Sequence, residues 1–263
     1  MIKCLFFIAL LICYENAVAG SDPCSNAGFR KAYKSLKIDS SLVCFLYIPN
    51  TLKKSDNSLS SVPDGISLYS SNASGKAEFL YELTYAGTKN EIKDAFLSSI
   101  DGGKRLFVIH SMEAPNSWDV VNDAYSVTVI NFDGENFVVD LRLSRFFDFG
   151  GDSMDDQGKI KYVYPYKDKA SVEKAIRSPL FKSVETSTPV SAIVREKTAL
   201  YGGDLEPATW DVSQRYASKN DRGTLEDSMA GWCKVSYTAD IAPVRMWLIC
   251  DAISFRQSNN DEG

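Results

Sequence analysis

Gly231-Trp232-Cys233-Lys234-Val235-Ser236-Tyr237 and, after a polar interval, Met246-Trp247-Leu248-Ile249-Cys250 are two short runs rich in aromatic and aliphatic residues, with a cysteine on each. That composition predicts a β-hairpin. Setting Cys233 opposite Cys250 places Val235 against Leu248 and Tyr237 against Met246, and leaves Thr238 to Arg245 as the connection, with Pro243 inside it. The apolar side chains then gather on one face of the hairpin. A disulfide at that place points to an oxidising, extracytoplasmic compartment.

The start of the chain agrees. Lys3 gives a positive leader, Cys4 to Tyr14 an apolar run, and Ala17-Val18-Ala19 a small-residue cleavage site, the pattern of a secretory signal peptide over residues 1–19. The apolar run is too short to span a bilayer, and no later stretch is long enough, so no membrane span is expected. The spacing around Cys13 and Cys24 is not that of a lipoprotein cleavage site, so no lipid anchor is expected. A chain starting at Gly20 keeps Cys24, Cys44, Cys233 and Cys250. Four cysteines allow three pairings, and closeness in sequence favours Cys24 with Cys44 and Cys233 with Cys250. No cysteine sits in a C-x-x-C pair and there is one histidine, so disulfides are expected rather than a zinc site, and no cofactor is predicted.

A chain that is 44% hydrophobic and 24% charged, with a net charge of -5, has the composition of an ordinary globular protein. The absence of a lysine or arginine run argues against nucleic acid and anionic membrane surfaces, and the acidity suits a basic protein partner. Ala27 to Leu36 reads as a short helix and Leu42 to Ile48 as a strand, followed by strands at Ser67 to Ser70 and Phe79 to Tyr85. Ile92, Ala95, Phe96 and Ile100 recur at helical spacing, so Asn90 to Ile100 reads as an amphipathic helix stopped by Gly102-Gly103. Leu106 to His110, Tyr125 to Phe132, Phe137 to Leu143 and Lys161 to Tyr164 read as strands, and Ser171 to Arg177 as a helix with Ser171 as its cap. Lys53 to Asp64 reads as an exposed loop. Ser178-Pro179 closes the helical stretch, and Glu185 to Pro189 has linker character. The expected fold class is therefore α+β: an antiparallel sheet with helices over residues 20–185, a linker at 186–189, an all-β module over 190–256 and a disordered tail at 257–263.

Few residues suggest chemistry. His110 shares a strand face with Leu106 and Val108, and with no orienting acid or nucleophile in view it reads as a core residue. Mechanisms needing two histidines are excluded by count. The run Phe146 to Gly158 concentrates Asp148, Asp152, Asp155 and Asp156 between glycine turns. Its spacing is not that of a calcium loop, and it reads as a solvated acidic loop, in its functional form an anionic tongue for a basic cleft. Tyr162, Tyr164 and Tyr166 alternate along one face, either as interface anchors or as core. Trp118, in the polar loop Pro115 to Asp119, is the stronger interface candidate. Asn72-Ala73-Ser74 is a glycosylation acceptor only in a eukaryotic secretory pathway.

From Pro189 onward, Ile193-Val194 leads to Leu200-Tyr201, then Gly231-Trp232-Cys233-Lys234-Val235 and Trp247. This order resembles a bacterial Src-homology-3-type domain over about residues 190–256, with Met246 in place of the glycine usual before the second tryptophan. The resemblance implies a small five-stranded barrel that binds peptides or cell-wall material through an aromatic groove, with Tyr201, Trp232, Tyr237 and Trp247 as its candidates. The expected function is that of a secreted or periplasmic, non-enzymatic binding protein recognising another protein, such as a basic toxin or enzyme, in the manner of an immunity protein or inhibitor. The alternatives are peptidoglycan binding through the C-terminal barrel, and a hydrolase using Asp148 and Asp152.

Overall fold

The structure, a computed structural model, describes residues 23–26, 28–49, 64–71, 76–118, 120–155, 157–207, 212–237 and 243–256. The expected signal peptide, the tail at 257–263, the glycosylation motif at Asn72, Asp156, most of the Lys53 to Asp64 loop and part of the C-terminal hairpin connection lie outside the described residues. A short helix α1 (Pro23–Asn26) precedes a four-stranded sheet of β1 (Arg30–Ile38), β2 (Ser41–Ile48), β3 (Gly65–Ser71) and β4 (Ala77–Glu82), in that order. The second sheet holds β5 (Asn90–Ile100), β6 (Gly103–Glu113), β7 (Val121–Phe132), β8 (Phe137–Val139), β9 (Gly150–Met154) and β10 (Ile160–Tyr162). Its order is β10-β9-β7-β6-β5, with β8 also on β7. Helix α2 (Leu141–Phe147) interrupts it, and α3 (Lys169–Ile176) and α4 (Pro179–Thr186) follow. The third sheet comprises β11 (Val190–Val194), β12 (Thr198–Tyr201), β13 (Val212–Ala217), β14 (Arg222–Met229), β15 (Trp232–Tyr237), β16 (Val244–Ile249) and β17 (Ile253–Arg256), ordered β13-β12-β16-β15-β14-β11-β17.

The α+β expectation is thereby corrected: the described chain is mostly β, in three antiparallel sheets of which none closes into a barrel. The Asn90–Ile100 segment shows why. A bulge between Ile92 and Asp94 inserts one extra residue into β5. That shifts the period of two by one, so Ile92 and Ala95, three apart, face the first sheet together while Phe96 turns the other way. Bulge and pleat together imitate helical spacing. Asp101 (φ 47°) and Gly102 (φ 81°) then form the two-residue turn of a hairpin rather than a helix stop. The expected helix at Ala27 to Leu36 fails for the same reason, because β1 carries two register shifts against β2.

Beyond β8, Asp140 ends the strand by capping α2, accepting the Leu143 amide at 2.9 Å. The cap of α3 is Asp168, and Ser171 is its reciprocal partner in a capping box. Ser178 and Pro179, the expected end of a helix, also start one: Ser178 caps α4 with Pro179 at its first position.

Apolar residues dictate the layers. Leu106, Val108 and Ile130 of the second sheet meet Val43, Phe45, Ile66 and Leu68 of the first. The opposite face, with Phe107, Ile109, Val127 and Val129, packs on Leu143, Phe146 and Phe147 of α2 and Phe181 of α4. The same cluster continues into Val194, Leu225, Val235 and Leu248 of the third sheet. The order is therefore sheet, sheet, helices, sheet. Two disulfides, Cys24–Cys44 and Cys233–Cys250, tie α1 to β2 and the end of β16 back to β15, as expected for a chain in an oxidising compartment.

The C-terminal hairpin differs from its expected register by two residues. Cys233 faces Leu248, Val235 faces Met246 and Tyr237 faces Val244. Cys250 lies just past β16, in a short 3-10 turn (Cys250–Ala252), and reaches Cys233 with the Cα atoms 5.1 Å apart. A two-residue slip keeps every side chain on its face, but the apolar residues are not confined to one: Trp232 and Trp247 occupy the other face and are also buried.

In place of the five-stranded barrel implied by the resemblance stands an open sheet of seven strands. Strands β13 and β14 are consecutive in the chain but first and fifth in the sheet. Their turn, closed by the Asp221 amide on the Ser218 carbonyl at 3.1 Å, limits the separation of their ends to about 15 Å. Four strand spacings in a flat sheet would need about 19 Å. The sheet must roll, and it stays open between β13 and β14.

Candidate functional site

A cleft of about 860 Å³ lies at one end of the second sheet, where β5 begins, β6 ends and β7 begins. Register brings its side chains together, with Glu91 opposite Ser111 and Glu113 opposite Asp123. Ala114, Pro115, Asn116 and Val120 line the wall that carries Trp118. A turn holds that wall, with the Trp118 amide donating to the Pro115 carbonyl at 2.9 Å and the Ala114 amide to the Asn122 carbonyl at 3.3 Å. The Trp118 ring is half-buried and stands edge-on to Phe149, with the centroids 5.1 Å apart. Gly151 admits this approach: a Cβ there would lie 2.2 Å from the Val120 side chain and 3.0 Å from the Asp123 carbonyl oxygen.

Charge in the cleft is dense. The Lys93 ammonium pairs with Glu91 and lies 3.6 Å from Asp123. The Lys93 hydrogen bond lowers the Glu91 pKa. Burial works against the Lys93 charge, but its carboxylate neighbours outweigh it and raise the pKa. Lys89 and Glu113 complete the charged lining, so three carboxylates face two ammonium groups. The Ser111 hydroxyl donates to Asp123 at 3.4 Å. His110, next in sequence, points to the opposite side of the sheet, where Nε2 lies 3.3 Å from the Thr84 carbonyl oxygen and Nδ1 has no partner. Burial lowers its pKa from 6.5 to about 4, so it is neutral at pH 7. Alternation along β6 thus puts Ser111 and His110 on opposite faces, so His110 does not reach the Ser111 hydroxyl.

Trp118 lies in this cleft, and the other expected site residues lie elsewhere. The acidic run after α2 is a hairpin, β9–β10, rather than a solvated loop. Asp148 is partly buried, which pushes its carboxyl pKa up, and its carboxylate accepts its neighbour's Phe149 amide. Asp152 accepts the Tyr164 amide at 3.0 Å and the Lys167 ammonium at 2.6 Å. Asp155 takes the Gln157 and Lys159 amides within the turn. These three carboxylates accept hydrogen bonds from groups nearby in the chain. Tyr164 and Tyr166 are buried, and the Tyr164 hydroxyl donates to the Phe147 carbonyl at 2.6 Å.

Of the four aromatics named by the resemblance, Trp247 is fully buried and its indole N–H donates to the Gly203 carbonyl at 3.0 Å. Trp232 is buried between Tyr162, stacked at 5.3 Å, and Tyr201, edge-on at 5.0 Å. Tyr237 lines a separate cavity at the open side of the third sheet. The charged residues of the main cleft, Glu91, Lys93, Glu113 and Asp123, escaped the sequence reading because they sit on three strand ends that only the register joins. Among the described residues no helix is long and apolar enough to cross a membrane. Comparison of the chain with protein-family models, with characterised proteins and with solved structures returned no match.

Proposed function

We propose that this chain is a secreted or periplasmic, non-enzymatic binding protein that recognises another protein through the Trp118 cleft. The observation that carries the reading is the half-exposed indole fixed against Phe149 at the edge of a broad, polar, charged cleft. Small-molecule sites are mostly apolar and enclosing, whereas an anchored tryptophan among charged and amide groups is the makeup of a protein-binding hot spot. The carboxylate excess in the lining, together with the net charge of -5, favours a partner that presents a lysine or arginine. The two disulfides support the compartment. The buried positions of Trp232 and Trp247 give no support to wall binding through those rings.

Affinity capture with residues 20–263 tests this, comparing the unchanged chain with Trp118→Ala and Glu113→Lys. The expected result is one protein retained in stoichiometric amount by the unchanged chain, with at least tenfold weaker retention by either variant. A partner held equally by all three forms, or recovery of wall fragments alone, would overturn the reading.

A further inference from the structure

The roll of the third sheet leaves a second site. Between β13 and β14, where the sheet fails to close, lies a cavity of about 550 Å³. Leu200, Ala217 and Val244 give it apolar walls, and Tyr216, Tyr237, Arg215 and Arg222 give it aromatic and cationic ones. Asp221, the one carboxylate among the described lining residues, is engaged by the turn below it, accepting the Ser218 amide at 2.7 Å. Lys197 adds a further cation, with its ammonium 4.7 Å from the centre of the Tyr216 ring. Tyr216 is 55% exposed. The Tyr237 hydroxyl is buried and has no hydrogen-bond partner among the described residues. β13 also ends the sheet, and among the described strands only β12 pairs with it, so its outer edge presents backbone donors and acceptors to the seam.

We infer that this open seam binds an extended acidic segment of a partner protein, added as a strand along the outer edge of β13. Edge pairing supplies the backbone hydrogen bonds, and alternate side chains of the segment separate by face. Aliphatic ones meet Leu200, Ala217 and Val244. Carboxylates meet Arg222 and Lys197, and one lies within reach of the orphan Tyr237 hydroxyl, whose proton a carboxylate oxygen accepts. Arg222 and Lys197, set against one aspartate held by its turn among the described residues of the seam, make charge the selecting feature. This site is separate from the Trp118 cleft and prefers the opposite charge.

The test uses fluorescence anisotropy of residues 20–263 with two fluorescein-labelled octapeptides, one alternating glutamate and valine, the other lysine and valine. The glutamate peptide is expected to bind saturably, to weaken as salt rises, and to exceed the lysine peptide in affinity at least tenfold. Arg222→Glu is expected to abolish or reverse that preference, and Tyr216→Ala, an exposed position that spares the core, to weaken binding severalfold. Trp118→Ala is expected to leave the peptide affinity unchanged. Equal binding of the two peptides, no saturable binding, or binding lost with Trp118→Ala but kept with Arg222→Glu would each overturn the inference.

Discussion

Lowering the pH from 7 to 4 is expected to unload stability through one side chain. The single histidine, His110, is buried between the first two sheets, with one ring nitrogen near the Thr84 carbonyl and the other unpartnered. Burial lowers its pKa in the folded chain from 6.5 to about 4. Between those values the unfolded chain holds a proton on His110 that the folded chain does not, so stability falls as the pH falls. Above 6.5 the two states agree and the contribution is constant. The gap, at about 1.4 kcal/mol per pH unit, amounts to about 3 kcal/mol, a large part of the stability of an ordinary domain. Urea unfolding followed by tryptophan fluorescence, at constant ionic strength and several pH values from 7.5 to 4, measures it for the unchanged chain and for His110→Gln. Carboxylates add slopes of their own, and Asp148, whose pKa is raised, works in the opposite sense, but both proteins share them. The stability difference between the two proteins should therefore shift by about 3 kcal/mol against the unchanged chain over that range. A difference that stays constant with pH would refute the burial argument.

Other perturbations follow from the packing. Replacing Cys233 and Cys250 together by serine removes a cross-link spanning 17 residues and should cost about 3 kcal/mol in urea unfolding. Gly151→Ala forces a methyl group against Val120 and the Asp123 carbonyl. It should cost about 1–3 kcal/mol, and the displaced loop should raise acrylamide quenching of tryptophan fluorescence. Ser178→Ala deletes the cap on the Phe181 amide, 3.1 Å away, with an expected loss of about 1 kcal/mol measured by thermal melting. Glu185→Ala leaves Arg105, whose side chain is 17% exposed, without its carboxylate partner. It should cost more than Glu185→Gln, which keeps an oxygen to accept the guanidinium hydrogen bond, in side-by-side urea titrations.

What could be read from the sequence, and what could not, divides along the range of the interaction that decides each feature. The Trp232–Tyr237 and Val244–Ile249 strands were legible because alternation and composition act within a few residues, and the disulfide pairing because short loops favour neighbours. The exact register was not, since Cys250 bonds from beyond the end of its strand. Ile92 and Ala95 mimic a helix only because a bulge separates them, and a bulge is settled by β6, the strand it pairs with, rather than by local propensity. Ser171 reads as a cap in the manner of an S-x-x-E/Q start, half present because Lys174 stands at its third place. Asp168, three residues earlier, won because an aspartate at the cap and a serine at the third helical position satisfy each other's amides.

Trp118 stands out in the sequence by its type and polar surroundings, but the cleft that it lines does not. Glu91, Glu113 and Asp123 come from three strands and acquire a common site only through their register. Trp247 shows the reverse case. Its motif suggested a binding surface, yet the loop at Gly203 folds over it and accepts its indole hydrogen bond. A buried indole needs such an acceptor, and a carbonyl 44 residues away cannot be assigned to it before the sheet is built. Sites assembled from strand ends and loop carbonyls are therefore found from the register outward, and in this chain both candidate sites, the Trp118 cleft and the β13–β14 seam, are of that kind.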